Sequence, residues 1–410
     1  MKQGKSELSD RLFWLATEDE IKTSKTTDVY FNYTSDVLKR QKVSPEVVMQ
    51  VYARAVPYSE NWGVVTGIYE VAKLLQGLPI DVKGMEEGEI FQCSTESVIY
   101  EPVLEIRGKY TSFAQYENPI LGLLGTSSSV STKSARIRSS IGDKLAYSFG
   151  SRRAHPALAP TIERAAYIGG VDNVSNTLAA RLLGKKPVGT MPHALVQVLG
   201  DPRKAWSAFH SGVAKGVPRI ALIDTFYDEK QEAIDAFALL GKNLEGIRLD
   251  TPSSRKGDWR KIIEEVRWEL AIRGGKKVKV IVSGGLDEDE INTVKDIVDG
   301  FGVGTSISAP PVIDFCAKIV EVPGSENQYR AKRGDISGSK QVYRKNGTFQ
   351  DIVAPSRDRS PKGCRPLLTD IMKKGKIIED FEPVDEIRRR VLNSIKSLAS
   401  NKRSISWDIA

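Results

Sequence analysis

An α/β protein built on a parallel sheet is the fold class this chain predicts, and three observations carry it. From about residue 165 to 308, short apolar segments alternate with amphipathic ones in a repeated strand-then-helix order. The runs "RIALI" (219–223) and "VKVIV" (278–282) are largely apolar at successive positions, as strands covered on both faces should be. Glycine and small polar or acidic residues cluster where those runs end, the rim at which (β/α) barrels keep their chemistry.

The elements follow in order. Residues 60–112, including "ESVIYEPVLEIRGKY" (96–110), are rich in β-favouring residues and read as an N-terminal α/β domain with a mixed or antiparallel sheet. The stretch 111–142, with "GTSSSVSTKS" at its centre, reads as helices joined by a Ser/Thr-rich turn. "AAYIGG" (165–170) reads as a strand end, followed by a helix through 174–184. "PVGT" (187–190) reads as a short strand before a helix that starts at His193. Strands are expected at 219–225, 244–251 and 276–285 and a last strand and turn at 301–308, with helices at 228–241, 258–274 and 287–300 between them. About six strands result, short of a complete eight-stranded barrel. After residue 310 the chain turns polar: 324–363 reads as loops and short strands, and a charged helix is expected near 383–398.

Composition bounds the function. With 410 residues, 40% hydrophobic and 27% charged, the chain reads as an ordinary globular protein, large enough to bury a core without disulfide or metal staples. Cys93, Cys316 and Cys364 lie far apart and form no Cys-x-x-Cys pair, which predicts a reducing, cytoplasmic setting and no structural zinc. The N-terminus lacks the apolar core of a signal peptide, and no apolar run approaches the ~20 residues of a membrane span. Of the net charge of +8, residues 321–410 carry +7, from 19 Lys/Arg against 12 Asp/Glu. Charge confined to one end reads as a solvated surface, which argues against nucleic acid as the main partner.

The strand ends supply the candidate chemistry. "VSGGLD" and "FGVGTSIS" each place glycines after an apolar run, where backbone N–H groups can turn toward a phosphate; the alternative is a plain tight turn. Asp224 closes "ALIDT" and Asp250 closes "IRLDT", with Arg248 on the same strand face as Asp250. Those charges suit a Mg²⁺-diphosphate or ribose hydroxyls, or else a structural ion pair. "YSFGSRRAHP" (147–156) offers a flat ligand a stacking face at Phe149 beside the adjacent cations Arg152 and Arg153. His155 and His210 read as local structural residues. His193, after the turn "GTMP" that includes Thr190, stands at a helix start where an anion could rest.

Taken together, "FGSRR", "GGVDNVSN", "GTMPHAL", "LIDT", "IRLDTPSSR", "VSGGLDE" and "FGVGTSIS", in this order and spacing, closely resemble nicotinate phosphoribosyltransferase of the archaeal type, from about residue 10 to 338. The resemblance implies a type II phosphoribosyltransferase: an N-terminal α/β domain over 1–120, completed by parts of the C-terminus, an irregular (β/α) barrel over 121–312, and a C-terminal segment over 313–410. It implies a homodimer or higher oligomer with shared active sites. It also implies a reaction, in which nicotinate and 5-phosphoribosyl 1-pyrophosphate give nicotinate mononucleotide and pyrophosphate in NAD salvage, coupled to ATP through a phosphorylated histidine.

Carried over by motif, His193 would be that phosphohistidine, with Asp224 orienting or charge-balancing it. Phe149 would stack on the pyridine ring, and Tyr30 of "TDVYF", from the neighbouring subunit, would close the other face. Arg152 and Arg248 would hold the phosphoribosyl pyrophosphate, and Asp250 its ribose or Mg²⁺, for which Asp224 is the other candidate. Gly284, Gly285, Gly304 and Thr305 would cradle the 5′-phosphate, with Thr190, Ser283 and Gly302 on the same rim. Relatives can carry a cysteine-rich zinc knuckle, yet residues 340–370 hold only Cys364, so a degenerate knuckle without zinc is expected. Asp172 of "GGVDNVSN" raises the question of specificity. It would repel the carboxylate of nicotinate and could accept from the amide of nicotinamide, a preference that Arg153 or a backbone nest could reverse. The alternatives are a nicotinamide or quinolinate phosphoribosyltransferase on the same fold, a sugar-phosphate isomerase barrel, and a non-catalytic phosphate- or nucleic-acid-binding protein.

Overall fold

The computed structural model describes residues 11–93, 99–326, 328–378, 380–398 and 403–407; both chain ends and the first three residues of the 96–110 segment lie outside it. Six strands form a wholly parallel sheet in the order Asn173–Val174, Leu145–Ser148, Gly300–Val303, Lys279–Ser283, Gly246–Leu249, Ile220–Leu222. Among the described residues the two end strands do not pair with each other, so the ladder is an open run of six. Helices Glu229–Leu240, Trp259–Ile272 and Glu288–Val294 separate successive strands, each opened by an aspartate (Asp228, Asp258 or Asp287) whose side chain accepts from a first-turn N–H. They bury Ala233, Ala236, Ile263, Val266, Ile291 and Val294 against Val280, Val282, Ile247 and Leu249.

Four local expectations need correction. "AAYIGG" is not a strand: it ends the helix Ala159–Gly169, whose last turns are buried on every side. A helix apolar all round carries no periodic signature that separates it from a buried strand. "PVGT" is extended chain outside the sheet, joined to it by the bond from Val188 N to Val174 O and by Arg248 Nη1, which donates to Thr190 Oγ1. Leu145–Ser148 is a sheet strand that the four residues "LAYS" do not announce.

The fourth correction is structural as well as local. The Ser/Thr-rich stretch breaks nothing: Glu117–Ile141 is one helix. Its hydroxyls have tertiary partners instead of competing with its backbone. Thr132 Oγ1 accepts from Val64 N at 2.9 Å, Ser129 Oγ from Ile313 N at 2.8 Å, and Ser134 Oγ donates to Ala166 O at 2.7 Å. Small side chains also let the helix Ala159–Gly169 pass very close, since a Cβ on Gly169 would lie 2.5 Å from Ser134 Cβ.

This central helix joins the parallel sheet to a six-stranded antiparallel one, ordered Asp314–Glu321, Glu46–Ala55, Pro102–Lys109, Ile80–Gly84, Thr369–Lys373, Lys376–Ile377. The chain's last hundred residues thus supply three of the sheet's strands, beside three from residues 46–109. A further sheet contains Lys340–Lys345, Phe349–Pro355, Cys364–Pro366 and Arg403–Trp407. It is fastened by Arg344, buried, which donates to Asp351 Oδ1 and Glu89 Oε1, both at 2.7 Å. Among the described residues no helix is long and apolar enough to cross a membrane.

Candidate active site

Because the six strands are parallel, their C-terminal ends share one edge, and every polar strand end named above is delivered there. At that edge a cavity of about 590 Å³ is lined by Phe149, Arg152, Arg153, Thr190, His193, Arg248, Asp250, Ser283, Gly284, Gly285, Gly302, Gly304 and Thr305. Both glycine turns and the imidazole therefore open into the same space. Ser175, Gly189, Met191, Pro192 and Ala194 complete the wall. Gly189 stands beside Thr190 at an expected strand end, whereas Ser175, Met191, Pro192 and Ala194 were not among the expected site residues; for Ser175 the available signal was its position at the end of "GGVDNVS".

His193 begins the helix His193–Leu199 after Pro192, in extended conformation, has ended the preceding turn. Its Nδ1 lies 3.1 Å from Thr225 Oγ1, its Nε2 3.3 Å from Asp250 Oδ2 and 3.9 Å from Asp224 Oδ1. A nitrogen facing two carboxylates keeps its proton, so Nε2–H donates to Asp250 and Nδ1 holds the lone pair, accepting from Thr225. The hydrogen bond to Asp250 raises the imidazole pKa; burial opposes it and the charge of Asp224 adds to it.

The two carboxylates differ. The Asp224 side chain is 3% exposed, accepts from Asp250 N through Oδ2, and leaves Oδ1 buried without a hydrogen-bond partner. Burial pushes its pKa up to about 6. Asp250 lines the cavity and accepts from Ser283 Oγ at 2.7 Å. Burial works against its ionised form, but the hydrogen bonds from His193 and Ser283 and the charge of Arg248 outweigh it and leave its pKa below the usual carboxylate value.

Arg248 is held rigid: Nη1 donates to Thr190 Oγ1 at 2.6 Å and Nη2 to Met191 O at 3.3 Å, while its Nε is buried without a partner. Arg153 donates to Thr305 Oγ1 at 3.2 Å, and Arg152 is exposed at the mouth. Phe149 lies across Gly302, where any Cβ would run into its ring. Gly284 and Gly285 both have positive φ, at +89° and +63°, so the turn after Lys279–Ser283 needs glycine. Gly285 has open space where a side chain would stand.

Asp224 stands behind the imidazole without lining the cavity, and two further expected residues lie elsewhere in the protomer. Tyr30, 52% exposed on the helix Val29–Arg40, does not line the cavity. Asp172 does not reach it either: its oxygens accept from Arg138 at 2.7 Å, Arg388 at 2.9 Å and Ala146 N at 2.9 Å. A carboxylate held by two guanidinium groups is not offered to a ligand, which removes the argument for nicotinamide that rested on it.

Residues 28–128 match the family model of the quinolinate phosphoribosyl transferase N-terminal domain, and 130–318 that of its C-terminal domain. A nicotinate phosphoribosyltransferase of Mycobacterium tuberculosis is 27% identical over 416 residues, spanning 92% of this chain and 88% of its own. The crystal structure of nicotinate-nucleotide pyrophosphorylase from Pyrococcus furiosus is 48% identical, with a TM-score of 0.90 over 95% of this chain and 99% of that one. The chain belongs to the nicotinate phosphoribosyltransferase family of type II phosphoribosyltransferases. Human nicotinic acid phosphoribosyltransferase shares the fold, with a TM-score of 0.71 at 19% identity over 93% of this chain and 97% of that one.

For a phosphoribosyltransferase the strand-edge cavity has the right chemistry, with backbone amides, arginines, a flat aromatic face and a carboxylate-flanked imidazole. A second cavity of about 670 Å³ is larger, but it lies on the antiparallel sheet away from those strand ends. Opposite charges stand at facing positions there, Asp81 opposite Arg107 and Lys83 opposite Glu105, and Glu105 already accepts from Gln50 and Ser339.

Proposed function

We propose that the chain joins nicotinate to 5-phosphoribosyl 1-pyrophosphate, giving nicotinate mononucleotide and pyrophosphate in NAD salvage, with ATP hydrolysis coupled through His193. The observation that carries this reading is the single cavity that gathers Phe149, Arg248, Asp250, both glycine turns and His193. The pyridine nitrogen is a nucleophile at neutral pH and needs no base. Its lone pair attacks C1′ as the C1′–O bond breaks and that pair leaves on pyrophosphate. The protein's task is to hold the partners in line and favour the cationic C1′. Phe149 supplies the face for the ring, Arg152 and Arg248 the charge for the pyrophosphate, and the N–H groups at Gly284, Gly285 and Gly304 with Thr305 the cradle for the 5′-phosphate. Asp250 holds the ribose hydroxyls.

Mg²⁺ would offset charge on the departing diphosphate. Among the described residues no group of three or more ligating side chains is set to bind a metal ion by itself, so the cation would arrive with its diphosphate. Asp250, lowered in pKa and facing the cavity, suits it, and the unpartnered Oδ1 of Asp224 lies behind. In the coupled step, the imidazole of His193 attacks the γ-phosphorus of ATP and ADP leaves; hydrolysis of the phosphoimidazole then releases phosphate. Asp250 and Asp224 offset the charge that grows on the ring.

The cavity's cations favour nicotinate over quinolinate. Among the described residues, Arg152, Arg153 and Arg248 are the cationic side chains that line it besides the imidazole, and Arg153 and Arg248 already have partners, which leaves little to meet a second carboxylate. We read the parallel run as an irregular barrel within a domain over 121–312, flanked by 1–120 and 313–410. The oligomer is a homodimer or higher with shared sites. Val29, Tyr30, Tyr33 and Val37 form an exposed apolar stretch of one helix, which supports a subunit contact through which Tyr30 closes a partner's cavity. Three free cysteines are consistent with a cytoplasmic enzyme. Incubation with labelled phosphoribosyl pyrophosphate and nicotinate, nicotinamide or quinolinate in turn tests the reading. Mononucleotide from nicotinate alone is expected; turnover of quinolinate with loss of carbon dioxide, or of nicotinamide at an equal rate, would overturn it.

A further inference from the structure

No residue of the C-terminal helix Val384–Leu398 lines the cavity, yet the helix is bonded to the backbone that carries one side of it. Arg388 donates through Nε to Val171 O at 3.0 Å, and through Nη2 to Gly170 O at 3.2 Å and Asp172 Oδ1 at 2.9 Å. Asp385 accepts from Tyr167 Oη at 2.6 Å and from Lys185 Nζ at 2.9 Å. Asp172 passes the connection on. Its Oδ2 accepts from Ala146 N at the start of the strand Leu145–Ser148 and from Arg138 of the central helix. Arg138 in turn donates to the carbonyls of Gly142 and Lys144, which lead into that strand, at 2.9 and 2.7 Å.

Three stretches of chain are gripped in this way. Residues 144–148 lead to Phe149, Arg152 and Arg153; residues 170–172 lead to Ser175; Lys185 leads to Gly189 and Thr190. The last two are laced together by the bonds from Asn173 Nδ2 to Lys186 O and from Val188 N to Val174 O. At its other side the helix is fixed to the N-terminal region, where Arg390 donates to Glu87 O at 2.6 Å. The strands that end in Asp250, Gly284 and Gly304 receive none of these bonds.

We propose that the helix Val384–Leu398 is a strap that positions the pyridine-facing wall of the active site, with Asp172 and Arg388 as its positioning residues. The proposal rests on the reading of Phe149 as the platform for the base. Charge-assisted hydrogen bonds to a buried turn are strong and directional, and an asparagine at 172 could satisfy only one of the two guanidinium groups now facing the carboxylate. Freed of that clamp, the strand start and the 170–175 turn lose their fixed spacing, and a platform displaced by about 1 Å costs about 10²-fold when alignment governs the rate. A charged residue such as Asp172 beside a pyridine site therefore acts on the ligand through the backbone.

The test compares D172N, R388A, D385N and F149A with the parent protein by steady-state kinetics in each substrate, alongside thermal melting. D172N and R388A are expected to raise the KM for nicotinate about tenfold or more, and by a clearly larger factor than the KM for phosphoribosyl pyrophosphate, part of whose site, Arg152, follows the same gripped strand. R388K, which keeps the charge without the fork, should fall between them and the parent. The Asp385 and Arg388 side chains are 55% and 17% exposed, so D385N and R388A keep the question answerable should D172N fail to fold. A folded R388A with an unchanged nicotinate KM, or one that weakens both substrates alike, overturns the strap. An unchanged nicotinate KM in F149A would instead sink the platform reading, whereas a raised value there with a flat R388A sinks the strap alone.

Discussion

Replacing Asp224 with asparagine should make the protein more stable at neutral pH and a poorer ATP-coupled catalyst. The carboxyl has an ordinary pKa of 3.8, and burial in the fold pushes it up to about 6. Between those values the unfolded chain has released the proton that the folded chain keeps. The native state therefore loses ground as the pH rises through that window, and the deficit is complete above about pH 6. A displacement of about 2 pH units corresponds to about 3 kcal/mol. The bond from Asp250 N survives in an asparagine, and the lost attraction to His193 returns part of the gain, so we expect D224N to be ~1–3 kcal/mol more stable at pH 7.5. Well below pH 3.8 the parent carboxyl is protonated in both states and the two proteins should converge. His193, raised mainly by Asp250, supplies stability that fades as pH climbs through its folded pKa, and it does so in both proteins. Denaturant melts from pH 4 to 8 measure the difference, and an ATP-dependent rate lower by about 10²-fold should accompany it. A variant less stable than the parent at pH 7.5, or a gap that does not open between pH 4 and 6, would refute this account of Asp224 as a carboxylate ionised at a cost for function.

Two glycines give sharper mechanical tests. G302A drives a methyl group into the Phe149 ring and should raise the KM for nicotinate by about tenfold with little loss of stability, because the ring can tilt into the cavity; steady-state kinetics checks it. G169A presses on Ser134 and on the carbonyl of Ser131 in the central helix, where nothing can tilt away, and should cost about 2–3 kcal/mol in denaturant melts.

How much was legible in the sequence depended on whether the cause was local. The strands Lys279–Ser283 and Gly246–Leu249 and the helices after them announce themselves because both covered faces and amphipathic spacing are written in consecutive residues. The glycine turns, Asp224 and Asp250 could be placed at one rim because parallel strands send every C-terminal end the same way. Leu145–Ser148 could not, since its place is set by hydrogen bonds to Gly300–Val303 far along the chain. The hydroxyl-rich helix Glu117–Ile141 was misread for the same reason: its partners Thr66, Val64, Ala166 and Ile313 come from segments that local spacing does not reveal. Asp172 looked like a ligand contact because its arginine partners lie 34 and 216 residues away. Ser175, which does line the cavity, carried no charge or ring to draw notice.

The central claim is that the imidazole set between Thr225 and Asp250 takes part covalently in a reaction at the strand-edge cavity. Incubation with γ-labelled ATP, comparing the parent with H193A, tests it most directly. Acid-labile label on the parent and none on the variant is the predicted result; label that persists in H193A would contradict the account.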